Sequence, residues 1–443
     1  MIKHISFLIT YILLYNVLSA EILLIILMLH CSYCLVENIK SKQLSLLTVI
    51  YATTLFCTFA NFVLLTKISS GVEIHSVYNY IVPAYAPEAV LLWCIGNAFI
   101  FIGYEMFSKK SLPDISVTIR KSNFETIYFA VLIYDILDLT GHSLNLAFLG
   151  GGGVKIIALL NLMSILIFAR LWTKENNSKY MLYSISLCIL QTYFALKTSY
   201  LRELIILPTL SLMGGYFLGF GTLKSLISYR IVPFLIILIS FFTLFKKLSN
   251  NRSHFIDAIY TNAAQDDNNS IEEDTDDQGK GGIVDRMSNL AQITNCIKLT
   301  KQNGFYYGKA FEPLIIGVIP RVLWPDKPQI HLGIWFAVEI GVAYVNAEGI
   351  ANNSLNMTIP GELYIDFGYI GAIIGCLLLG CILAMFWNAS HFNESTYNIT
   401  GLMWGGYLIE SGLGAYNSAD LQIVITLFST YFVFYIIKKI TEK

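Results

Sequence analysis

The sequence is poor in charged residues, and this excludes most classes of soluble protein. Only 13% of its 443 residues are Asp, Glu, Lys or Arg, whereas a soluble globular chain carries about 25%. Hydrophobic residues make up 55% of the chain. Most side chains must therefore face something other than water, and the composition predicts an integral membrane protein.

The chain also lacks an excess of either charge sign. Its 29 Lys and Arg residues stand against 30 Asp and Glu residues, which gives a net charge of −1. No basic field exists that would attract nucleic acid, so no nucleic-acid partner is expected. The sequence has neither the G-x-x-x-x-G-K-[ST] loop of P-loop ATPases nor the H-E-x-x-H motif of zinc proteases. Its histidines and cysteines form no cluster along the sequence with metal-ligand spacing, and no metal or cofactor is predicted.

Disulfide bonds and redox chemistry are not expected either. The eight cysteines lie almost entirely inside apolar stretches, which argues against a disulfide framework. Cys31 and Cys34 form a C-x-x-C pair, but this pair lies in a hydrophobic run and lacks the strand–helix context of a redox motif. Four consecutive glycines, 150–153, are interpreted as a flexible turn between spans, with a phosphate-binding loop as the alternative.

What the sequence has in abundance is long apolar runs. A spanning helix needs about 20 mostly apolar residues, and such runs predict an all-α polytopic membrane protein with eleven or twelve transmembrane helices. The first run, 5–36, is too long for one upright helix, so it forms either one tilted helix or a hairpin around Asn16, Ser19 and Glu21. The other runs lie near 45–66, 88–107, 124–140, 154–172, 180–197, 203–221, 229–246, 362–386, 399–416 and 418–437.

Basic residues in the short connections predict the orientation of these spans. They cluster in alternate connections and in the C-terminal tail, which assigns these segments to the cytoplasm. The long hydrophilic stretch then lies on the periplasmic side. Three regions follow: an N-terminal transmembrane bundle (1–246), a large periplasmic loop (247–361) and C-terminal transmembrane helices (362–443). Within the loop, 266–282 is a flexible acidic part and 283–335 is the functional part, in which aromatic, apolar and basic residues mix.

The functional part of the loop contains cations suited to a diphosphate. Three prolines stiffen the stretch from Ile319 to Pro328, which holds Arg321 and Lys327 beside Trp324. Arg286 lies upstream, and Arg202 enters a span on the same predicted side. A guanidinium presents donors in a planar fork that matches phosphate oxygens, so this set is predicted to bind a lipid-linked diphosphate.

The alternative for the same cations is structural. They could snorkel to the interface, or form salt bridges with carboxylates that lie close in sequence. These carboxylates are Glu203, Asp285 and Asp326.

Several ionisable residues on the periplasmic side could act as a general base. Glu362 and Asp366 are four residues apart, so they share one face of a helix at the membrane boundary. Glu410 lies deeper in a span, where an ionisable residue is a functional candidate by default. His331 and Glu348 lie in the loop. Glu362, Glu410 and His331 are predicted as catalytic residues, with a structural role as the alternative for each.

Two stretches resemble the Wzy-type O-antigen and oligosaccharide repeat-unit polymerases. The first runs from Asp285-Arg286-x-Ser288 through a spacer with Gly304 and Gly308-Lys309 to Ile-Pro-Arg-x-Leu-Trp-Pro-Asp-Lys-Pro, which ends at Pro328. The second, from Pro360 to Gly371, resembles the helix that follows the large loop in that family. The likeness covers roughly residues 285–375 and otherwise depends on topology and on Arg202.

This resemblance implies a glycosyltransferase of GT-C-like architecture in the bacterial inner membrane, with its active site on the periplasmic side. The implied substrate is an undecaprenyl-diphosphate-linked oligosaccharide, which is polymerised into O-antigen or a related surface polysaccharide without a metal. The implied partners are the lipid bilayer and a chain-length regulator protein. An O-antigen ligase is the alternative enzyme, and a transporter or flippase of lipid-linked sugars is the alternative from another class.

Overall fold

The structure is a computed structural model that describes part of the chain. The described residues are 1–40, 45–70, 81–118, 123–139, 150–198, 211–212, 215, 288–318, 324, 332–343, 354–392, 398, 400–401, 404–406, 408 and 422–442. Within these residues the fold is all-helical, and the only pairing of extended backbone is one isolated bridge between Thr118 and Asn398. The all-α prediction is confirmed.

Four helices in the described ranges are long and apolar enough to cross a membrane. Their candidate spans are Ala20–Asn38, Leu46–Ser69, Pro83–Phe107 and Ile359–Ser390. All four coincide with predicted apolar runs, which agrees with the prediction of a membrane protein.

The helices divide between two compact units. The first unit comprises Met1–Ile115, Gly281–His391 and Tyr407–Lys443, and the second comprises Ser116–Lys280 and Phe392–Gly406. Helices of the first unit are α1 (Ile2–Leu14), α2 (Ala20–Lys40), α3 (Leu46–Ser69), α4 (Ala86–Phe107), α8 (Leu290–Asn303), α9 (Glu312–Val318), α10 (Leu332–Glu339), α11 (Ile359–Ser390) and α12 (Gln422–Thr441). Those of the second unit are α5 (Phe124–Leu139), α6 (Gly150–Glu175) and α7 (Ser178–Thr198).

The first apolar run forms a helical hairpin, which decides between the two alternatives that the sequence left open. Helices α1 and α2 are separated by residues 15–19. At the end of the hairpin away from the connection 15–19, Lys3 Nζ donates to Glu37 Oε2 at 2.6 Å. Closer to the connection, the Tyr11 hydroxyl lies 3.0 Å from His30 Nδ1. These pairings show that the two helices run antiparallel.

Helices α4 and α11 form the closest helix pair of the first unit. A Cβ atom on Gly103 would lie 2.1 Å from the carbonyl oxygen of Leu377, and one on Gly380 would lie 2.2 Å from that of Ile100. Small residues at both positions let the two backbones approach closely, as they do between membrane helices in general.

Replacing Gly380 with valine is expected to separate α4 from α11 and to lower the thermal stability of the protein in detergent. Overpacking a close contact costs about 1–3 kcal/mol, and here the obstacle is backbone rather than a movable side chain. Thermal unfolding followed by size-exclusion recovery measures the effect. Leu378→Ala is the matched control, since this side chain on the same helix is 55% exposed. Equal stability of the two variants would contradict the close approach.

Helix α8 lies against both α4 and α11 at one end of the first unit. Ser288 Oγ donates to Asn61 Oδ1 at 2.9 Å, and the backbone N–H of Asn289 donates to the same oxygen at 2.8 Å, which ties the start of α8 to α3. The backbone N–H of Val82 donates to Thr294 Oγ1 at 3.2 Å. Part of the predicted loop is thus packed onto the end of the unit where α4 and α11 begin, called the site end below.

The opposite end of the first unit holds the chain's N-terminus and is called the amino end. The terminal amine of Met1 pairs with Glu105 near the end of α4. At the same end of α11, Asn388 Nδ2 donates to the carbonyl oxygens of Ser108 at 2.8 Å and Lys110 at 2.7 Å. These contacts fix the register of α4 and α11 where both helices finish.

In the described part of the second unit, a buried carboxylate joins three helices. Both oxygens of Asp135 on α5 accept from Asn161 Nδ2 on α6 at 2.7 Å, and Gln191 Nε2 on α7 donates to Oδ2 at 3.1 Å. Amide donors therefore satisfy a charge that would otherwise be costly among apolar helices. Helix α6 begins at Gly150, so the flexible turn predicted at 150–153 is wrong.

Candidate functional site

The site end is organised by the start of α11, which the sequence places directly after the large loop. Thr358 caps this helix from a left-handed conformation (φ 70°), and its Oγ1 accepts from the backbone N–H of Gly361 at 3.3 Å. Pro360 occupies the first turn, where a missing N–H has no cost. Glu362 lies in the same turn, and the helix dipole favours an acidic residue there.

Glu362 is buried at the junction of α11 and α8, and only 1% of the residue is exposed. Its neighbour across the junction is Cys296 on α8. Burial raises the pKa of the Cys296 thiol well above its ordinary value, and the nearby Glu362 carboxylate raises it further. The junction therefore disfavours the thiolate form of Cys296 beside the Glu362 carboxylate.

Asp366, one turn further along α11, holds the chain segment that precedes α9. Its Oδ1 accepts from the backbone N–H of Lys309 and its Oδ2 from that of Ala310, both at 2.9 Å. The backbone N–H of Tyr306 donates to the carbonyl oxygen of Ile365 at 3.1 Å. Since both carboxylate oxygens are used in this way, Asp366 is a positioning residue that fastens segment 304–311 to the helix.

The helix breaks its regular geometry immediately after Asp366. Phe367 (φ −138°, ψ 16°) and Gly368 (φ 63°, ψ −152°) leave the helical region, and α11 continues beyond them. The Gly368 conformation is one that only glycine adopts readily. A Cβ atom there would also lie 3.0 Å from the ring of Phe305. The kink therefore makes room for segment 304–311 beside the helix.

Substituting Gly368 with alanine is expected to destabilise the protein by about 1–3 kcal/mol, because the backbone conformation becomes strained. The contact with Phe305 adds to this cost. Differential scanning fluorimetry in detergent should show a lower unfolding temperature than for Ile370→Val, a control on the same helix at a residue that is 70% exposed. An unchanged unfolding temperature for the alanine variant would show that the kink does not depend on glycine.

Exposed aromatic rings surround the kink. Phe305, Tyr307 and Phe367 are 42%, 74% and 43% exposed, and together they are called the aromatic patch. The Tyr307 ring lies 6.3 Å from that of Phe305 and 6.4 Å from that of Phe367, both edge to face. Flat apolar faces of this kind suit the C–H faces of sugar rings as well as the membrane interface.

Two lysines flank the patch at the site end. Lys309 Nζ donates to Glu312 Oε2 at 2.6 Å and lies 5.5 Å from the centre of the Trp335 ring. Lys301 Nζ donates to Glu88 Oε1 at 2.5 Å. This hydrogen bond raises the pKa of Lys301. Both lysine side chains remain partly exposed beside their glutamate partners.

The predicted site residues are described only in part. Glu362 and Asp366 lie on one helix as predicted, and both face protein rather than solvent. Trp324 is described and is 36% exposed. The remaining candidates, whose roles stay predictions, lie outside the described residues: Arg202, Arg286, Arg321, Lys327, His331, Glu348 and Glu410.

Lys301 and the aromatic patch were not singled out from the sequence. Lys309 entered only as part of the Gly308-Lys309 spacer of the resemblance. An available signal was the run of three aromatic residues, 305–307, between two glycines in an otherwise polar loop.

The fold of the described residues is all-helical, and four of their helices are long and apolar enough to span a membrane. Buried carboxylates, lysines and exposed aromatic rings lie at one end of the first unit. The chain belongs to a family described as a domain of unknown function (DUF8712), whose model matches residues 3–440. No curated protein and no solved structure matches the chain.

Proposed function

We propose that this protein is an oligosaccharide repeat-unit polymerase of the bacterial inner membrane. In this proposal the chain has eleven or twelve spans and a GT-C-like architecture. Its periplasmic loop, 247–361, forms the active site together with the helix that begins at 359. The substrate is an undecaprenyl-diphosphate-linked oligosaccharide, and the product is a longer lipid-linked glycan of the O-antigen kind.

The observation that carries the proposal is the composition of the site end. A carboxylate (Glu362) lies in the first turn of a membrane-spanning helix. A second carboxylate on the same helix, Asp366, holds segment 304–311 beside the helix. This segment bears exposed aromatic rings and Lys309. Aromatic faces for sugars, cations for phosphate and a carboxylate for proton transfer are the three groups that this reaction needs, and they occur together at the end of a helical membrane unit.

The proposed reaction is a direct displacement at the anomeric carbon of the donor glycan. A hydroxyl of the acceptor sugar forms the new C–O bond, and its proton passes to a carboxylate, for which Glu362 is the described candidate. The bond between the anomeric carbon and the lipid diphosphate breaks, and its electron pair remains on the diphosphate. The predicted bases His331 and Glu410 are the other candidates for this proton.

Cations stabilise the leaving group in this scheme. Negative charge grows on the diphosphate as its bond to the sugar breaks, so a fixed cation helps the transition state more than the ground state. Arg202, Arg286, Arg321 and Lys327 are proposed for this role on the basis of the sequence. At the site end, Lys301 and Lys309 are described cations, and each is paired with a glutamate.

The position of the described carboxylates favours an enzyme whose site lies at one face of the membrane, rather than a transporter of lipid-linked sugars. A transporter is expected to carry its substrate site near the bilayer midplane between two repeated halves. The described carboxylates of the site end instead lie at the start of α11, beside segment 304–311 of the loop. An O-antigen ligase shares the donor and the side of the membrane, and the phenotype of a deletion strain separates it from a polymerase.

Deleting the gene in its host should reduce the surface polysaccharide to a single repeat unit on lipid A core. The repeat unit would still be exported and ligated, but it would not be extended. Gel electrophoresis of lipopolysaccharide reads this directly, and the wild-type gene on a plasmid should restore long chains. Loss of all repeat units would point to the ligase or flippase, and an unchanged ladder would contradict the proposal.

Reporter fusions test the topology on which the proposed site depends. Because basic residues alternate among the short connections, positions in the large loop should report the periplasm and positions in the basic connections the cytoplasm. The periplasmic set is Ser253, Gly281 and Asn346, and the cytoplasmic set is Ser41, Lys109 and Lys443. A cytoplasmic signal from Gly281 would contradict the assignment of the site to the periplasmic side.

A further inference from the structure

The amino end of the first unit holds a second cluster of reactive side chains, separate from the site end. His4 on α1 and His30 and Cys34 on α2 each contribute one ligand atom, and these atoms lie within 4.8 Å of one another. All three residues are fully buried. Two imidazoles and a thiol are the groups that zinc prefers in proteins.

The backbone explains why the three side chains meet. His30 and Cys34 are four residues apart on α2, so they project from the same face of this helix. The antiparallel α1 brings His4 opposite this face, with His4 Nδ1 2.8 Å from His30 Nε2. In a tetrahedral zinc site, two nitrogens bonded at about 2.0–2.1 Å are about 3.3 Å apart. Small side-chain rotations are therefore enough to open the pair around an ion.

The outer nitrogens of both rings already have the partners that a metal site requires. His4 Nε2 lies 3.0 Å from Glu105 Oε1 on α4 and 3.1 Å from the Tyr51 hydroxyl, and His30 Nδ1 lies 3.0 Å from the Tyr11 hydroxyl. Metal-bound histidines typically hydrogen bond through their second nitrogen to a carboxylate or another oxygen, which fixes the tautomer. In the ion-free protein, His4 Nδ1 and His30 Nε2 share one proton in a hydrogen bond of 2.8 Å, and binding of an ion would move this proton to the outer nitrogen of the ring that carries it.

The surroundings favour the neutral, metal-binding form of the two histidines. The Phe7 ring stacks on His30 with centroids 4.1 Å apart, and Phe101 packs against both imidazoles at 5.5 and 5.9 Å. Apolar burial disfavours charged imidazolium, and only neutral imidazole binds a metal. The two cations nearest to the cluster, Lys3 and the terminal amine, pair with Glu105 rather than with the ligand atoms.

We propose that the first unit binds one zinc ion through His4 Nδ1, His30 Nε2 and Cys34 Sγ. Glu105 orients the ring of His4 from α4, so the ion would fasten the α1–α2 hairpin and, through Glu105, connect it to α4. On binding, the Cys34 thiol loses its proton to solvent and becomes the thiolate ligand. This site belongs to the fold of the amino end and is independent of the function proposed for the site end.

This site was not predictable from the sequence, because its ligands come from two different helices. His4 and His30 are separated by 26 positions, and their approach depends on the α1–α2 hairpin that the sequence left open. The spacing of His30 and Cys34 alone is too common on helices to indicate a metal.

The test is the metal content of the full-length protein, purified in detergent from cells grown with added zinc. We expect about one zinc ion per chain by inductively coupled plasma mass spectrometry. Cys34→Ser and His30→Ala should lose most of this zinc. Two controls should retain it: Cys31→Ser, a buried cysteine one turn away on α2, and His391→Asn, a histidine at the end of α11.

Cobalt substitution gives a second, spectroscopic readout, and its wild-type arm does not depend on the folding of any variant. The wild-type protein loaded with Co²⁺ should show a thiolate-to-cobalt absorption band, which Cys31→Ser retains and Cys34→Ser loses. Size-exclusion chromatography confirms that each variant is folded. A wild-type protein without bound zinc and without this band would overturn the proposal, as would full zinc occupancy in Cys34→Ser and His30→Ala.

Discussion

Replacing Glu362 with glutamine is expected to lower the rate of polymerisation by roughly 100- to 10,000-fold, the range that a positioned general base contributes. Glutamine keeps the size of the side chain and most of its hydrogen bonding, but it cannot take the proton of the acceptor hydroxyl. Glu362 is buried beside α8, where a change in side-chain size would disturb packing. Glutamine has nearly the same size, so the substitution tests proton transfer with little effect on packing. The chain-length distribution of surface polysaccharide measures the loss.

The control for this variant is Glu339→Gln on the exposed end of α10. It makes the same chemical change and should leave chain length unaltered. The amount and thermal stability of both proteins must be compared, because a structural Glu362 would lower both. Normal amounts of Glu362→Gln protein together with long polysaccharide chains would show that another residue is the base, with His331 and Glu410 next in order.

Replacing Arg321 with alanine is expected to reduce polymerisation roughly 100- to 1000-fold, which is the usual effect of removing one donor to a developing oxyanion. Arg286→Ala should act in the same direction. Arg321→Lys should recover only part of the activity, because lysine keeps the charge but loses the planar fork that binds two phosphate oxygens.

The lysine variant also separates the two interpretations of Arg321. A structural salt bridge with Asp326 tolerates lysine well, so full recovery of activity would favour the structural role. Alanine variants of both arginines that accumulate normally and still build long chains would contradict binding of the diphosphate by these residues.

The helical framework was predictable because it depends on composition and local pattern. Scarce charge and long apolar runs are sufficient to indicate membrane helices, and Pro360 with Glu362 two residues later marks the start of α11 directly. The shared helix of Glu362 and Asp366 follows from their spacing alone.

The contacts that build the site end were not predictable in the same way. Asp366 binds the backbone of Lys309 and Ala310, residues more than 50 positions away, and no local pattern encodes that pairing. The position of Asp366 made it a candidate base, which stays a prediction, whereas its role in fastening the loop segment appears only in the structure. The run of glycines at 150–153 shows the opposite failure, since local flexibility predicted a turn where the structure begins helix α6.

The most direct test of the central claim is polymerisation by the purified protein in proteoliposomes. The substrate is the undecaprenyl-diphosphate-linked repeat unit of the host, supplied without any other enzyme. A repeat-unit polymerase should produce a ladder of lipid-linked glycans and release one undecaprenyl diphosphate for each bond formed. The Glu362→Gln protein should produce no ladder. A correctly folded wild-type protein that leaves the repeat unit unchanged would contradict the central claim.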